Sequence, residues 1–166
     1  MYYYYKQDKT HLSELNKDKD ISFIIKHPTL TFDRTEEMGI GPLKYFYFEI
    51  LTIIRRGFSR VYEEWHLMKN DHSCSKAVLI SKVPIYQFLP KKGIHICFCR
   101  TNYEERGYGY YPTLLKYIQS KYPHKDFYMI VESSNISSIK GIEKAGFVRY
   151  AEEEKVGQTF KITRYV

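Results

Sequence analysis

Apolar residues fall along this chain in short blocks, and the spacing within the blocks changes from strand-like to helical toward the C-terminus. Tyr45 to Ile54 is aromatic and β-branched and predicts a strand, as do Ala77 to Val83, Ile94 to Thr101 and Phe127 to Glu132. Arg55 to Met68 fits two periods: Phe58, Val61, Tyr62 and Trp65 share a helical face, yet the composition also suits a strand. Leu114, Leu115 and Ile118, with Tyr122 beyond, mark one face of a helix that starts at Pro112, a residue suited to the first helical position. Ile136, Ile139, Ile142 and Ala145 recur every third residue between Asn135, an N-cap type, and Gly146, a C′ type. Phe147 to Ala151 and Thr159 to Val166 then predict a closing antiparallel hairpin. Earlier, Leu12 and Leu15 hint at a short helix, which Ile21 to Ile25 extends or follows with an apolar turn. Met38 to Leu43 reads as a loop and Pro90 to Gly93 as a turn. Strands come first and a strand-helix-strand-helix-strand finish follows, so the class is mixed α and β, one domain over residues 1–166.

The stretch from Arg106 to Leu115 carries the first chemical signal. A strand leads into Gly107 and Gly109, which permit a tight turn and close approach of a ligand to the backbone. A helix start follows, whose unpaired N–H groups and dipole favour an anion. No Lys-Ser or Lys-Thr follows the glycines, which excludes the nucleoside-triphosphate P-loop. The dinucleotide fingerprint needs three glycines early in a βαβ unit, and this turn lies two-thirds along the chain.

Taken with the capped helix downstream, the chain resembles the GNAT superfamily of acyl-CoA-dependent N-acetyltransferases. Their pyrophosphate loop reads Arg/Gln-x-x-Gly-x-Gly/Ala, and a later helix reads Asn, a small residue three on, then Gly-Phe. Arg106, Gly109, Asn135, Ser138, Gly146 and Phe147 fall on that pattern, and the likeness covers roughly residues 93 to 151. Leu114 sets this register; taking Gly107 and Gly109 as the two glycines would turn Thr113 inward. Arg-Gly-x-Gly-x-Tyr-Pro looks like a subgroup found among bacterial proteins. The resemblance implies an α+β fold: a mostly antiparallel twisted sheet flanked by helices, with a V-shaped splay between its two central strands.

It also implies acetyl transfer from acetyl-CoA, as co-substrate, to a primary amine. Arg106 and the amides of Gly107, Tyr108, Gly109, Tyr110 and Tyr111 would hold the diphosphate. The strand around Cys99 to Thr101 would pair with the pantetheine arm and polarise the thioester carbonyl, with Asn135 and Ser138 beside it. Three positions depart from the family. The Tyr that many members place seven residues after the Asn is Ile142, and the Glu of N-terminal acetylating members, five residues before it, is Ile130. The sixth loop position, normally Gly or Ala, is Tyr111. His95 stands where histone-acetylating members carry a catalytic Glu, and an imidazole is a competent base near neutrality. Glu132 is the second candidate base, and Tyr108, Tyr110 and Tyr111 are candidate proton donors to the thiolate.

Composition adjusts this picture only at its edges. Net charge is +7 with 17 tyrosines, which invites a nucleic-acid reading. The charges are dispersed, however, and acidic residues interrupt nearly every basic cluster, so a solvated surface and no nucleic-acid partner are expected. No apolar run approaches the ~20 residues of a membrane span, and Met1 to Lys6 lacks the marks of a secretory signal. Three cysteines without framework spacing suit a reducing cytoplasm; Cys97 and Cys99 are expected on one strand face. His66, His72 and Cys74 read as a polar loop, and no metal is expected. The acceptor is expected to be a small-molecule amine, an amino sugar or similar, and assembly into a homodimer stays open. Tyr45, Phe46, Tyr47, Phe48 and Trp65 read as core residues that could instead stack on a sugar.

Overall fold

The computed structural model describes residues 1–11, 20–26, 50, 62–81, 90, 93–157 and 159–165. Its strands are β1 (Tyr2–Gln7), β2 (Ile21–Lys26), β3 (Tyr62–Lys69), β4 (His72–Ser81), β5 (Ile94–Thr101), β6 (Phe127–Glu132), β7 (Phe147–Val156) and β8 (Thr159–Arg164). Helix α1 spans Tyr110–Lys121 and α2 spans Ile136–Lys144. The eight strands form one sheet in the order β2-β3-β4-β5-β6-β1-β7-β8. Neighbours are antiparallel except β5 and β6. The mixed α and β class predicted from the pattern is therefore observed.

Alternation along each strand decides what is buried. Trp65 and Leu67 on β3, Ala77 and Leu79 on β4, Ile94 and Ile96 on β5, and Phe127, Met129 and Val131 on β6 join one core cluster. Leu114, Leu115 and Ile118 of α1, Ile142 of α2 and its C-cap Ala145 close it from above. Fully burying each such side chain stabilises by about 1.5–3 kcal/mol. Phe23 of β2 stacks on Tyr117 of α1 with ring centroids 3.6 Å apart, which ties the edge strand to the same helix. Glu63 faces this core as well, and its carboxylate accepts from Trp65 Nε1 at 3.0 Å and Tyr122 Oη at 2.6 Å. On the opposite face Tyr4 and Ala151 nucleate a smaller cluster with Tyr128, Ile130, Tyr150 and Ile162.

Several segments differ from the pattern-based reading. Ile21 to Lys26 is an edge strand rather than a helical extension; pairing with β3 overrides the local ambiguity. The double reading of 55–68 resolves as strand over Tyr62–Lys69, and β4 begins at His72, five residues before the predicted start. Pro112 is the third helical residue, not the first. It is tolerated there because the N–H it lacks belongs to the unpaired first turn. The tyrosine run at the chain start forms β1, inserted between β6 and β7 with Tyr4 and Tyr5 buried. Of the strand predicted over 45–54 only Ile50 is described, and it is helical. Leu12, Leu15, the 38–43 loop and the aromatics Tyr45 to Phe48 lie outside the described residues.

Candidate acyl-CoA site

The two central strands diverge almost at once. β5 and β6 pair only at Ile94 with Phe127 and His95 with Tyr128, so among the described residues neither strand has a ladder partner across the gap from Ile96 and Met129 onward. β1 continues along the far side of β6 through Glu132 and holds that arm straight. The β5 arm is bent instead. Lys76 pairs with Arg100 and Val78 with Cys97, leaving Phe98 and Cys99 together opposite Ala77. This is a β-bulge, and Phe98 sits in it at φ 49°, a left-handed conformation that strains a bulky residue by about 1–3 kcal/mol. The bulge corrects one expectation from the sequence. Simple alternation would place Cys99 with His95 and Cys97; the extra residue returns it to the helix-side core, beside Tyr111. Burial raises both thiols, Cys97 well above its usual range and Cys99 to about 12, and all three cysteines are free.

Beyond the bulge the chain makes the turn predicted to cradle phosphate. Gly107 and Gly109 take φ 89° and 80°, and a Cβ on either would meet nothing within 4 Å. Gly109 is the N-cap of α1, and the first helical bond runs from Thr113 N–H to its carbonyl at 3.1 Å. The amides of Gly109, Tyr110 and Tyr111 therefore precede the helical ladder, and Pro112 offers none. Arg106 lies exposed beside them, its Nε donating to Thr101 O at 3.5 Å and its guanidinium over the Tyr103 ring. Tyr108 is exposed and stacks on Tyr110. The Tyr110 ring itself is buried and its hydroxyl accepts from Lys69 Nζ at 2.9 Å. Only the backbone of Tyr110 therefore faces the cradle.

Asn135 caps α2 as its type predicts: its side chain accepts from Ser138 N–H at 3.1 Å. Ser138 and Cys99 flank the Tyr111 hydroxyl from α2 and β5. That hydroxyl is buried without a hydrogen bond of acceptable geometry. Burial, with the Cys99 thiol adding, holds it well above the usual tyrosine range, so it stays protonated. Room for the ring comes from Gly141, where a Cβ would lie 2.5 Å from Tyr111 Cδ1. Ile142, at the position where a Tyr was sought, is 1% exposed and belongs to the core.

The two candidate bases are separated by their surroundings. His95 lies at the vertex of the V, 4% exposed, with Nε2 3.4 Å from Pro90 O and Nδ1 unpaired. Burial lowers its pKa against the opposing pull of the Pro90 carbonyl, so it is neutral near pH 7. Glu132 ends the β6 arm with its side chain exposed, and its carbonyl accepts from Asn135 N–H at 2.9 Å. Thr101 ends β5 and shares a 3.0 Å hydrogen bond with Ser75.

A polar cluster on the sheet face opposite α1 escaped the sequence reading. His66 and the segment His72 to Cys74 are strand residues, not a polar loop. His66 Nδ1 lies 2.8 Å from Ser73 Oγ, and its Nε2 lies 2.9 Å from Glu64 Oε1. Burial raises the Glu64 carboxyl, but the His66 bond and the Lys76 and Lys26 charges outweigh it and hold it below its ordinary value. The signal available in sequence was the unbroken Glu63–Glu64 pair inside a strand-like run, charge where burial was due.

Comparison with solved structures places this geometry. The chain superposes on an acetyltransferase of the GNAT family from Colwellia psychrerythraea, with a TM-score of 0.60 and 15% identity over 89% of this chain and 52% of that one. This is the GNAT fold. A GCN5-related N-acetyltransferase-like protein from Streptococcus suis shares the GNAT fold at a TM-score of 0.54 and 14% identity, over 90% and 58% of the two chains. A functionally unknown conserved protein from Staphylococcus epidermidis matches at 0.57 and 11% identity, over 89% and 57%. The chain spans little more than half the length of each of these proteins. No family model matches the sequence, and no curated protein does. The splay between β5 and β6 is the V-shaped gap that the resemblance implied.

Proposed function

We propose that this chain binds acetyl-CoA across the β5–β6 splay and transfers its acetyl group directly to the primary amine of a small molecule, an amino sugar or similar. The observation that carries the reading is the conjunction of a β5 edge that parts from β6 after His95, without another ladder partner among the described residues, and three unladdered amides at the start of α1. A diphosphate fits those amides because the space over Gly107 and Gly109 is open. The amide-bearing pantetheine arm fits the β5 edge as an added strand would, along Cys99 to Thr101. Asn135 and Ser138 border the same gap, and the Tyr111 hydroxyl offers it an unused donor.

Acetyl-CoA supplies an activated acyl group when bound. The chain's own groups do the rest. Strand amides beside the Phe98 bulge would polarise the thioester carbonyl. His95, neutral at its buried position, can accept a proton from an incoming ammonium, and Glu132 is its exposed counterpart. A second reading, a CoA-binding protein without turnover, is favoured by Ile142, whose burial leaves α2 without a proton donor at that point. Among the described residues no helix is long and apolar enough to cross a membrane, and dispersed charge argues against a nucleic-acid partner.

A panel of primary amines incubated with acetyl-CoA, with free CoA thiol followed, tests the proposal. Acceptor-dependent CoA release supports transfer. Tight acetyl-CoA binding with no release across amino sugars, polyamines and amino acids would favour the second reading.

A further inference from the structure

We propose that His72, Cys74 and Glu105 form a binding site for a borderline-soft divalent cation, with Zn²⁺ the best match to the donors. The three ligand atoms, one nitrogen, one sulfur and one carboxylate oxygen, all lie within 4.8 Å of one another. They come from two separate places: the start of β4 and the 3-10 turn Tyr103–Glu105 that precedes the glycine loop. His72 Nε2 is 2.8 Å from Glu105 Oε1 and 3.6 Å from Cys74 Sγ.

Zinc takes sulfur at about 2.3 Å, imidazole nitrogen at about 2.0–2.1 Å and carboxylate oxygen at about 2.0–2.2 Å. Tetrahedral bonds of those lengths put ligand atoms roughly 3.3–3.7 Å apart. The sulfur–nitrogen separation already matches, the sulfur–oxygen separation is within 4.8 Å, and a small rotation of the half-exposed His72 or partly exposed Glu105 side chain opens the 2.8 Å nitrogen–oxygen pair. The imidazole thus already draws both other donors to one nitrogen: Glu105 at 2.8 Å and the Cys74 sulfur in a long hydrogen bond at 3.6 Å.

The surroundings fit a bound ion. Cys74 is fully buried and fixed by its strand, and the turn is held against β4 by two further bonds. Asn102 N–H donates to Cys74 O at 3.0 Å and Asn102 Nδ2 to Ser73 O at 2.6 Å. A cavity of about 450 Å³, lined in part by His72, Cys74 and Asn102, gives an entry path and room for a solvent ligand in the fourth position. On binding, the Cys74 S–H bond breaks, its proton leaves to solvent, and the sulfur electron pair forms the bond to the ion. The site would clamp the β3–β4 hairpin to the turn that launches Arg106 and the glycine loop. The inference does not depend on acetyl transfer.

The test is titration of chelator-stripped protein with Zn²⁺ against a chromophoric competitor, and with Co²⁺ by absorbance. We expect one ion per chain and a sulfur-to-cobalt charge-transfer band. His72→Ala and Glu105→Gln, both at partly exposed positions that leave the core intact, should each weaken Zn²⁺ by more than the roughly 10–100-fold typical of losing an outer-shell partner. Cys74→Ser should abolish the cobalt band, while Cys97→Ser should leave both readouts unchanged. Absence of stoichiometric binding, or binding that survives His72→Ala and Glu105→Gln, would overturn the proposal. So would binding that is lost in Cys97→Ser.

Discussion

The two arms of the V are built on opposite plans. β6 is a regular strand: Phe127, Met129 and Val131 enter the core in strict alternation, and β1 ladders along it from Lys6 to Tyr2. β5 begins the same way with Ile94 and Ile96, then breaks its own alternation at Phe98 and sends Cys99 back toward the helices. One arm is a rigid wall. The other stores strain, and that strain is located where the backbone would have to meet a thioester. The splay is therefore not a defect in strand pairing: one side is over-determined by packing, and the other is distorted against it.

Phe127→Ala and Phe98→Gly test that contrast first. Truncating Phe127, fully buried on the straight arm, should destabilise by about 3–5 kcal/mol in a denaturant melt. Phe98→Gly removes a half-buried ring but also relieves the left-handed strain, so its net effect should stay within about 1 kcal/mol. Equal losses at the two positions would dissolve the distinction between the arms.

The vertex comes next. His95→Ala should lower turnover on any productive amine by about 10²–10⁴-fold with acetyl-CoA affinity little changed. Glu132→Gln is its matched control on the straight arm. The buried imidazole also gives a stability signature. Its folded pKa is lowered, so the unfolded chain binds the extra proton. Stability should be full above about pH 6.5 and fall as the pH drops below that value toward the folded pKa. A His95→Gln variant should flatten that part of the profile, and an unchanged slope in a urea series would remove His95 as its source.

A smaller effect is expected between the arms. Tyr111→Phe deletes a buried hydroxyl whose neighbours Ser138 and Cys99 make no well-aligned hydrogen bond to it, so thermal stability should change little. If that hydroxyl serves the pantetheine arm, acetyl-CoA affinity should nonetheless drop by about 2–10-fold, the worth of one hydrogen bond. Asn135→Ala should cost about 1 kcal/mol through the lost cap, and calorimetry with acetyl-CoA would show whether affinity falls with it.

How far the sequence could be read divides along the same line. The straight arm, both helices and the closing hairpin were legible because alternation, capping residues and glycines act locally. Asn135 caps α2 and Gly146 follows it at φ 85°, as their types predict. The bulge was not legible: nothing in Ile-His-Ile-Cys-Phe-Cys announces a left-handed Phe, because the register with β4 imposes it. Nor was β1, whose four tyrosines gain their strand from two neighbours more than a hundred residues away. Tyr111 was visible as a departure from a small residue, but Gly141, thirty positions on, supplies the space that makes it tolerable. Glu105 joined His72 and Cys74 only through the turn after β5.

On the proposed reading acetyl-CoA lies across the V with its diphosphate on the open amides of the glycine turn. Calorimetric titration of acetyl-CoA into wild type and Gly109→Val measures it most directly. A β-branched side chain at φ 80° would fill the space left clear over that turn. We predict saturable binding by wild type, a gain of about 2.7 kcal/mol in stability at 100 times the Kd, and loss of both in a folded Gly109→Val variant. Unchanged affinity in that variant, or no binding by wild type, would contradict the account.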